Sequence, residues 1–312
     1  MLNIYLSANN GELQEVHEIC SGCWIHLTSP NNEEIEYVTN QLNLPADFIR
    51  DPLDEEERSR IEKNEDQILI IVNIPIVTEK EEGNFIYDTI PFGMMITNDC
   101  FVTVCLKDNP IIQLFAQNKI KQFFTYKKTR FSLQILYRTA SLYLKYLKQI
   151  SKMTDDIEKQ LHRSMKNKEF FTLLNMQKSL VYFTTSLKSN NIVMQKMLRN
   201  NYLKMYEDDQ ELLEDVIVEN QQAIEMAETY TNILSSMMDS FASVISNNLS
   251  IAMKFLTSIT IILYLPTMVA SFYGMNLDLP FQNHPNAFLG TIIVSIIISS
   301  ITAFIFWKKK FF

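Results

Sequence analysis

The chain has 312 residues, 47% of them hydrophobic, and a formal net charge of −8 at pH 7. That length accommodates a sizeable core, and the acidic balance excludes the basic stripe that a nucleic-acid binder presents. Charges are dense from Glu12 to Lys254 and almost absent from Phe255 to Trp307, so the apolar content is gathered at one end.

The opening MLNIYLSANNGELQ has neither a basic start nor a long apolar run, which predicts no secretory signal and a cytoplasmic first part. Residues 1–125 read as a mixed α/β domain. Strands are predicted at Asn3–Ser7, Cys23–Thr28, Gln67–Thr78, Asn84–Ile96 and Phe101–Leu106, all rich in Ile, Val and Phe. Asn32–Leu44 reads as a helix capped by Asn32, with Glu33 and Glu34 in its first turn. Cys20 and Cys23 are spaced C-x-x-C, but Cys100 and Cys105 do not complete a second close pair. A zinc set would need His17 or His26, and reduced thiols are the simpler reading.

From Ile111 to Leu265 there is neither Gly nor Pro, which favours long helices. A helical region, 126–208, is predicted to hold helices near Phe131–Met165 and Lys168–Arg199. Asp208 with Glu211 resembles a capping box, so a further helix is predicted from Asp209. Nothing breaks it before Pro266, so a stalk over 209–252 continues into a first membrane span over 253–273. Leu213, Val216, Asn220, Ile224, Ala227, Thr231, Leu234, Met238, Phe241 and Ile245 follow one another at spacings of three and four. That seam suits a helix packed along its length, on its own subunit or on other copies.

No charge lies between Lys254 and Asp278, and Ala287–Trp307 is continuously apolar or small. The second stretch rises about 31 Å as a helix, against a hydrocarbon core of about 30 Å. The spans are 253–273 and 287–307, joined by an external loop over 274–286 and followed by a basic tail, 308–312. Lys254 and Lys308–Lys310 flank the spans while the loop has no Lys or Arg, which places both termini in the cytoplasm of a multi-pass cell-membrane protein. Two helices cannot enclose a polar path, so conduction would require several subunits. The seam continues through Leu249, Met253, Leu256, Thr260, Tyr264 and Thr267. Hydroxyls near the outer end and bulky apolar groups near the inner end suit a pore with a greasy constriction. Packing between small polar positions of membrane helices gives the same pattern. No Walker loop, nucleophile elbow, H-E-x-x-H or dinucleotide fingerprint is present, so no enzyme is expected.

Tyr273-Gly274-Met275-Asn276 closes the first span, with Ser246-Asn247, Met253-Lys254, Leu256-Thr257, Pro266, Thr267 and Ala270 on the approach. Near the N-terminus stand Trp24-Ile25, Ser29-Pro30 and Glu33-Glu34. Together these resemble the CorA family of magnesium transporters, whose signature is Gly-Met-Asn at that place. The resemblance implies an α+β membrane protein that assembles as a homopentamer in the lipid bilayer. Each subunit would have an α/β cytoplasmic domain, a long helical stalk and two C-terminal transmembrane helices. Gly274, Met275 and Asn276 would form the selectivity filter, with Gly274 permitting the turn that ends the helix. Mg²⁺ dehydrates reluctantly, and neutral amide oxygens of Asn276 can hold its hydration water without trapping the ion. Thr267, Tyr264 and Thr260 would line the pore, and Leu256 and Met253 would constrict it. Tyr264 departs from the smaller residue expected there.

The family resemblance also implies closure by intracellular Mg²⁺ bound between neighbouring subunits. Asp215 matches the regulatory aspartate, with Glu81, Glu82 and Asp88 as candidate partners. Asp278 is the only carboxylate of the outer loop, where the family commonly has Met-Pro-Glu, and would attract cations. His284 in the same loop leaves Co²⁺, Ni²⁺ or Zn²⁺ open as cargo. The rival readings are zinc export on the same fold and a non-transporting membrane scaffold or metal sensor.

Overall fold

The central strands are rich in Ile, Val, Phe and Met, as burial on both faces of a sheet requires. The computed structural model describes residues 1–8, 11–80, 84–120, 123–163, 167–200, 202–276, 280, 285–309 and 311. Two compact units emerge, Met1–Ser235 and Ser236–Phe312.

The first unit is built on β1 (Leu2–Ser7), β2 (Leu13–Val16), β3 (Trp24–Thr28), β4 (Arg60–Asn64), β5 (Gln67–Lys80), β6 (Asn84–Ile96) and β7 (Phe101–Cys105). They form one seven-stranded sheet in the order β2-β1-β3-β7-β6-β5-β4. Only β3 and β7 run parallel, with Trp24 opposite Phe101; the other neighbours are antiparallel. Along β5, Ile68, Ile70, Val72 and Ile74 enter one core while Leu69 and Ile71 enter another, as the pleat requires.

Helices α1 (Asn32–Leu42) and α2 (Ala46–Arg50) contribute Ile35, Val38, Phe48 and Ile49 to the second core. The first core takes Phe115 from α3 (Pro110–Ala116), Phe131 and Leu136 from α4 (Lys128–Arg163), and Met194 from α5 (Asn167–Arg199). It also takes Leu213 from the start of α6 (Glu207–Tyr273). Because both faces are covered, β7 is buried at every residue, Thr103 included, and is otherwise apolar.

Two caps differ from expectation. Asn31, not Asn32, caps α1: its Oδ1 accepts from Glu34 N at 2.8 Å, and Glu34 Oε2 accepts from Asn31 N at 3.0 Å. A capping box needs its glutamate three residues on, and only Asn31 has Glu34 there. Asp208 is exposed and caps nothing; α6 begins one residue earlier, at Glu207. Asp209 serves its first turn instead, accepting from Tyr206 N at 3.3 Å and from Arg130 Nη1 at 3.1 Å. β2, β4, α2 and α3 were not predicted; they are four to seven residues long, too short for a periodic signal.

Along α6, Leu213, Val216, Asn220, Ile224, Ala227 and Leu234 are buried. Asn220 Nδ2 donates to Leu187 O of α5 at 3.1 Å, and Gln177 Nε2 of α5 donates to Ser235 Oγ at 3.1 Å. Over this stretch the seam therefore packs within its own subunit.

The second unit holds the rest of α6 and α7 (Ala287–Lys308). Each contains an apolar window long enough to cross a membrane, and only 6% of each window is buried. A core helix of a water-soluble protein would be mostly covered, so both helices are candidate membrane spans by length, composition and exposure.

Candidate functional site

The membrane part of α6 runs without glycine or charge from Phe255 to Tyr273, and its hydroxyls turn back on the helix itself. Ser258 Oγ donates to Lys254 O at 2.7 Å, Thr260 Oγ1 to Leu256 O at 2.8 Å, and Thr267 Oγ1 to Leu263 O at 3.3 Å. Each donor is thereby satisfied where no water is guaranteed. The oxygen lone pairs stay available to accept hydrogen bonds.

Pro266 is the one interruption inside α6. Its missing N–H leaves the carbonyl four residues back, on Ile262, without its helical donor. Ser299 Oγ of α7 donates to that carbonyl at 3.5 Å. Sequence reading missed this residue; the proline announces an orphan carbonyl, but which neighbour supplies the donor depends on how the helices pack.

The two faces of α6 differ. Ser258 is 1% exposed, and Ile259, Ile262, Leu265, Pro266 and Val269 are half-buried along the side that meets α7. Met253 at 54%, Leu256 at 59% and Tyr264 at 67% are open, as are Thr260 and Thr267. A step of two residues turns a helix by about 200°, so 256, 260, 264 and 267 stand opposite 258, 262, 266 and 269. The face predicted to line a pore is the one that α7 leaves bare.

At the end of this face the helix tightens before it stops. Gly274 N donates to Ala270 O at 3.0 Å, and Met275 N to Phe272 O at 3.3 Å. Gly274 is not among the positive-φ glycines, and an added Cβ would meet Ala270 O at 3.4 Å, an ordinary contact. Gly274 therefore stands in the turn that ends the helix without a left-handed backbone. Met275 and Asn276 are exposed just beyond. Asp278 and His284 lie outside the described residues.

Of the expected regulatory carboxylates, Asp215 and Asp88 are described. Asp215 is exposed on α6, and Asp88 is half-buried on β6, where its Oδ1 accepts from Thr89 N at 2.8 Å. Glu81 and Glu82 lie outside the described residues. Among the described residues no three His, Cys, Asp or Glu side chains are placed to hold a metal. His17 is exposed, while His26 is buried with Nδ1 2.8 Å from Thr103 Oγ1 and Nε2 2.8 Å from Thr28 Oγ1. Trp24 Nε1 donates to Thr103 Oγ1 at 2.8 Å, so the hydroxyl proton of Thr103 is free to serve His26. Burial pushes the His26 imidazole down to about 4.

The family model described as CorA-like Mg²⁺ transporter protein matches residues 21–310. The chain belongs to this family. The cobalt/magnesium transport protein CorA of Methanocaldococcus jannaschii is 28% identical over 297 residues, covering 92% of this chain and 90% of the relative. The cobalt/magnesium transport protein CorA of Thermotoga maritima is 25% identical over 305 residues, covering 92% and 82%. The complete structure of the M. jannaschii CorA magnesium transporter superposes with a TM-score of 0.83 at 26% identity, over 98% of this chain and 97% of that one. The expected CorA architecture is therefore present: an α/β domain, a long helix of 67 residues and two apolar C-terminal helices.

Proposed function

We propose that this CorA family member conducts hydrated divalent cations, Mg²⁺ first and Co²⁺ second, through an axis shared by five copies. The observation that carries this reading is the bare face of α6, from Met253 to Thr267, which stands opposite α7 and leads to Asn276. A lone pair of helices gives such a face nothing but lipid to meet. Grouped around an axis, it supplies apolar side chains at Met253 and Leu256 and hydroxyl oxygens at Thr260, Tyr264 and Thr267. Thr260 and Thr267 spend their protons on their own helix. Their lone pairs therefore suit the hydrogens of an ion's hydration shell, which point outward.

Gly274, Met275 and Asn276 form the outer ring in this reading, where the Asn276 amide oxygen accepts from hydration water and does not replace it. Mg²⁺ keeps several waters in most protein sites, and a neutral acceptor releases a hydrated ion more readily than a carboxylate. Asp278, next in the loop, concentrates cations at the mouth. Both termini lie in the cytoplasm, following the lysines at Lys254 and Lys308–Lys309. Asp215 shares α6 with the pore face, and intracellular Mg²⁺ bridging it to Asp88, Glu81 or Glu82 of a neighbouring copy holds the constriction shut. Loss of the ion leaves facing carboxylates to repel one another.

Flux of Mg²⁺ into liposomes containing the purified chain tests the reading, with Co²⁺, Ni²⁺ and Zn²⁺ as competitors. Wild type should transport, and Asn276→Ala should transport at background rate while running at the same oligomeric size. Undiminished flux in Asn276→Ala would remove the amide ring, and no flux in wild type would favour a scaffold.

A further inference from the structure

Three cysteines for which a cation pore has no use converge where β3 and β7 begin. Cys23 immediately precedes β3 and Cys100 immediately precedes β7, and the register that sets Trp24 opposite Phe101 places the two cysteines side by side. Phe101 N donates to Cys23 O at 3.1 Å, which locks that register. The Cys23 and Cys100 sulfurs are 3.3 Å apart, and both residues are essentially fully buried. Cys20 is half-buried and is the only one of the three open to solvent. Its carbonyl accepts from Cys23 N at 3.2 Å, Cys100 Sγ lies 3.4 Å from the same oxygen, and its side chain hydrogen-bonds Cys23.

The geometry suits a covalent bond. Paired strands run about 4.8 Å apart, inside the roughly 4.4–6.8 Å between Cα atoms that a disulfide spans. The sulfurs need only close from contact to about 2.05 Å. The surroundings favour a thiolate at Cys23 alone of the three. Lys128 Nζ, which donates to Thr97 O and Asn98 O at 2.6 Å each, brings a positive charge close to Cys100. The Cys100 thiol, hydrogen-bonded to Cys23, pulls the Cys23 thiol down and is itself pushed up. Cys105 is the contrast: it too is buried, but its neighbours are Thr28 and Asn109, and burial pushes it up to about 12.

We propose that Cys20, Cys23 and Cys100 form a thiol–disulfide exchange site that accepts oxidising equivalents from a small-molecule disulfide and stores them as a Cys23–Cys100 bridge. The Cys20 sulfur attacks the disulfide RSSR, forming a Cys20–S–SR bond and releasing RSH. Cys23 attacks Cys20 Sγ, forming Cys20–Cys23 and releasing the second RSH. Cys100 then attacks Cys23 Sγ, breaking Cys20–Cys23, and its proton passes to the departing Cys20 thiolate. Two thiols have been oxidised by two electrons, one RSSR has been reduced to two RSH, and Cys20 is restored. Burial and the neighbouring Cys23 raise the Cys20 thiol. Its attack is therefore the slow step, and the rate should rise about tenfold per pH unit below its pKa.

The test uses the full-length protein in detergent with oxidised glutathione as the disulfide. Thiols are then blocked in denaturant and counted, and the bridge is mapped by proteolysis and mass spectrometry. Wild type should fall from four free thiols to two, with Cys23 linked to Cys100, and dithiothreitol should restore all four. Cys20→Ser should reach the same bridge about tenfold more slowly. Cys100→Ser should stop at Cys20–Cys23, and Cys23→Ser should form no internal bridge. Persistence of four thiols in wild type, a mixed disulfide on Cys20 alone, or a bridge involving Cys105 would each overturn the proposal. An unchanged rate in Cys20→Ser would overturn it too, because the relay begins there. The wild-type count needs no variant to fold.

Discussion

Asn190 completes a hydrogen-bond ladder that the sheet cannot. Asn73 on β5 turns its N–H and C=O toward the β4 edge, where the β4–β5 register has already ended two residues earlier at Ile71. Asn190, fully buried on α5, takes both backbone groups: its Oδ1 accepts from Asn73 N at 2.8 Å, and its Nδ2 donates to Asn73 O at 2.8 Å. Tyr143 Oη also donates to Asn73 O, at 3.0 Å. In Asn190→Ala the Asn73 N–H therefore loses its only side-chain partner, at a cost of about 1–3 kcal/mol, while the carbonyl loses one bond of two, at about 1 kcal/mol. The sum is about 2–4 kcal/mol, or a fall in Tm of about 4–8 °C in a unit of this size.

Thermal unfolding in detergent, followed by intrinsic fluorescence, measures this fall. The adjacent Asn191 is the control: its buried Oδ1 accepts no hydrogen bond among the described residues, so Asn191→Ala should cost under about 1 kcal/mol. A loss of less than about 2 °C in Asn190→Ala, or equal losses in the two variants, would refute the reasoning.

His26 makes stability depend on pH. Its folded pKa of about 4 lies below the ordinary 6.5, so the unfolded chain binds the proton more readily between those values. Its contribution is complete above pH 6.5 and is lost as pH falls toward 4, by about 3 kcal/mol in all. His26→Gln should flatten that part of a Tm-against-pH curve relative to wild type; parallel curves would contradict it. Ser299→Ala should strip the Ile262 carbonyl of its donor and lower stability by about 0.5–1 kcal/mol, while Ser299→Thr should restore it. Equal Tm values for all three would show that bond to be idle. Asp215→Ala should let current persist at millimolar internal Mg²⁺, and an unchanged dose response would remove Asp215 from the sensor.

The membrane half was legible because lipid imposes its demand locally: a helix must be long, apolar and free of charge over about 20 residues. The same holds for Gly-Met-Asn, whose meaning comes from standing at the end of such a run. The α/β domain was legible strand by strand, since Gln67–Thr78 and Phe101–Leu106 are apolar enough to announce themselves. What remained hidden were short elements such as β2 and α3, and the strand order.

Periodicity alone states that Leu213 to Leu234 must be covered, but not by what; α5 of the same subunit covers it. It is equally silent on the stretch from Met253 to Thr267, which α7 leaves bare. Nor does any spacing rule bring Cys100 to Cys23, or Ser299 to the carbonyl that Pro266 orphans. Local sequence determined which segments are helix, strand or membrane span, because propensity, pattern and hydropathy act over one element. Partners far apart in the chain meet only when those elements pack, so tertiary structure alone decided which face is free and which polar groups find each other.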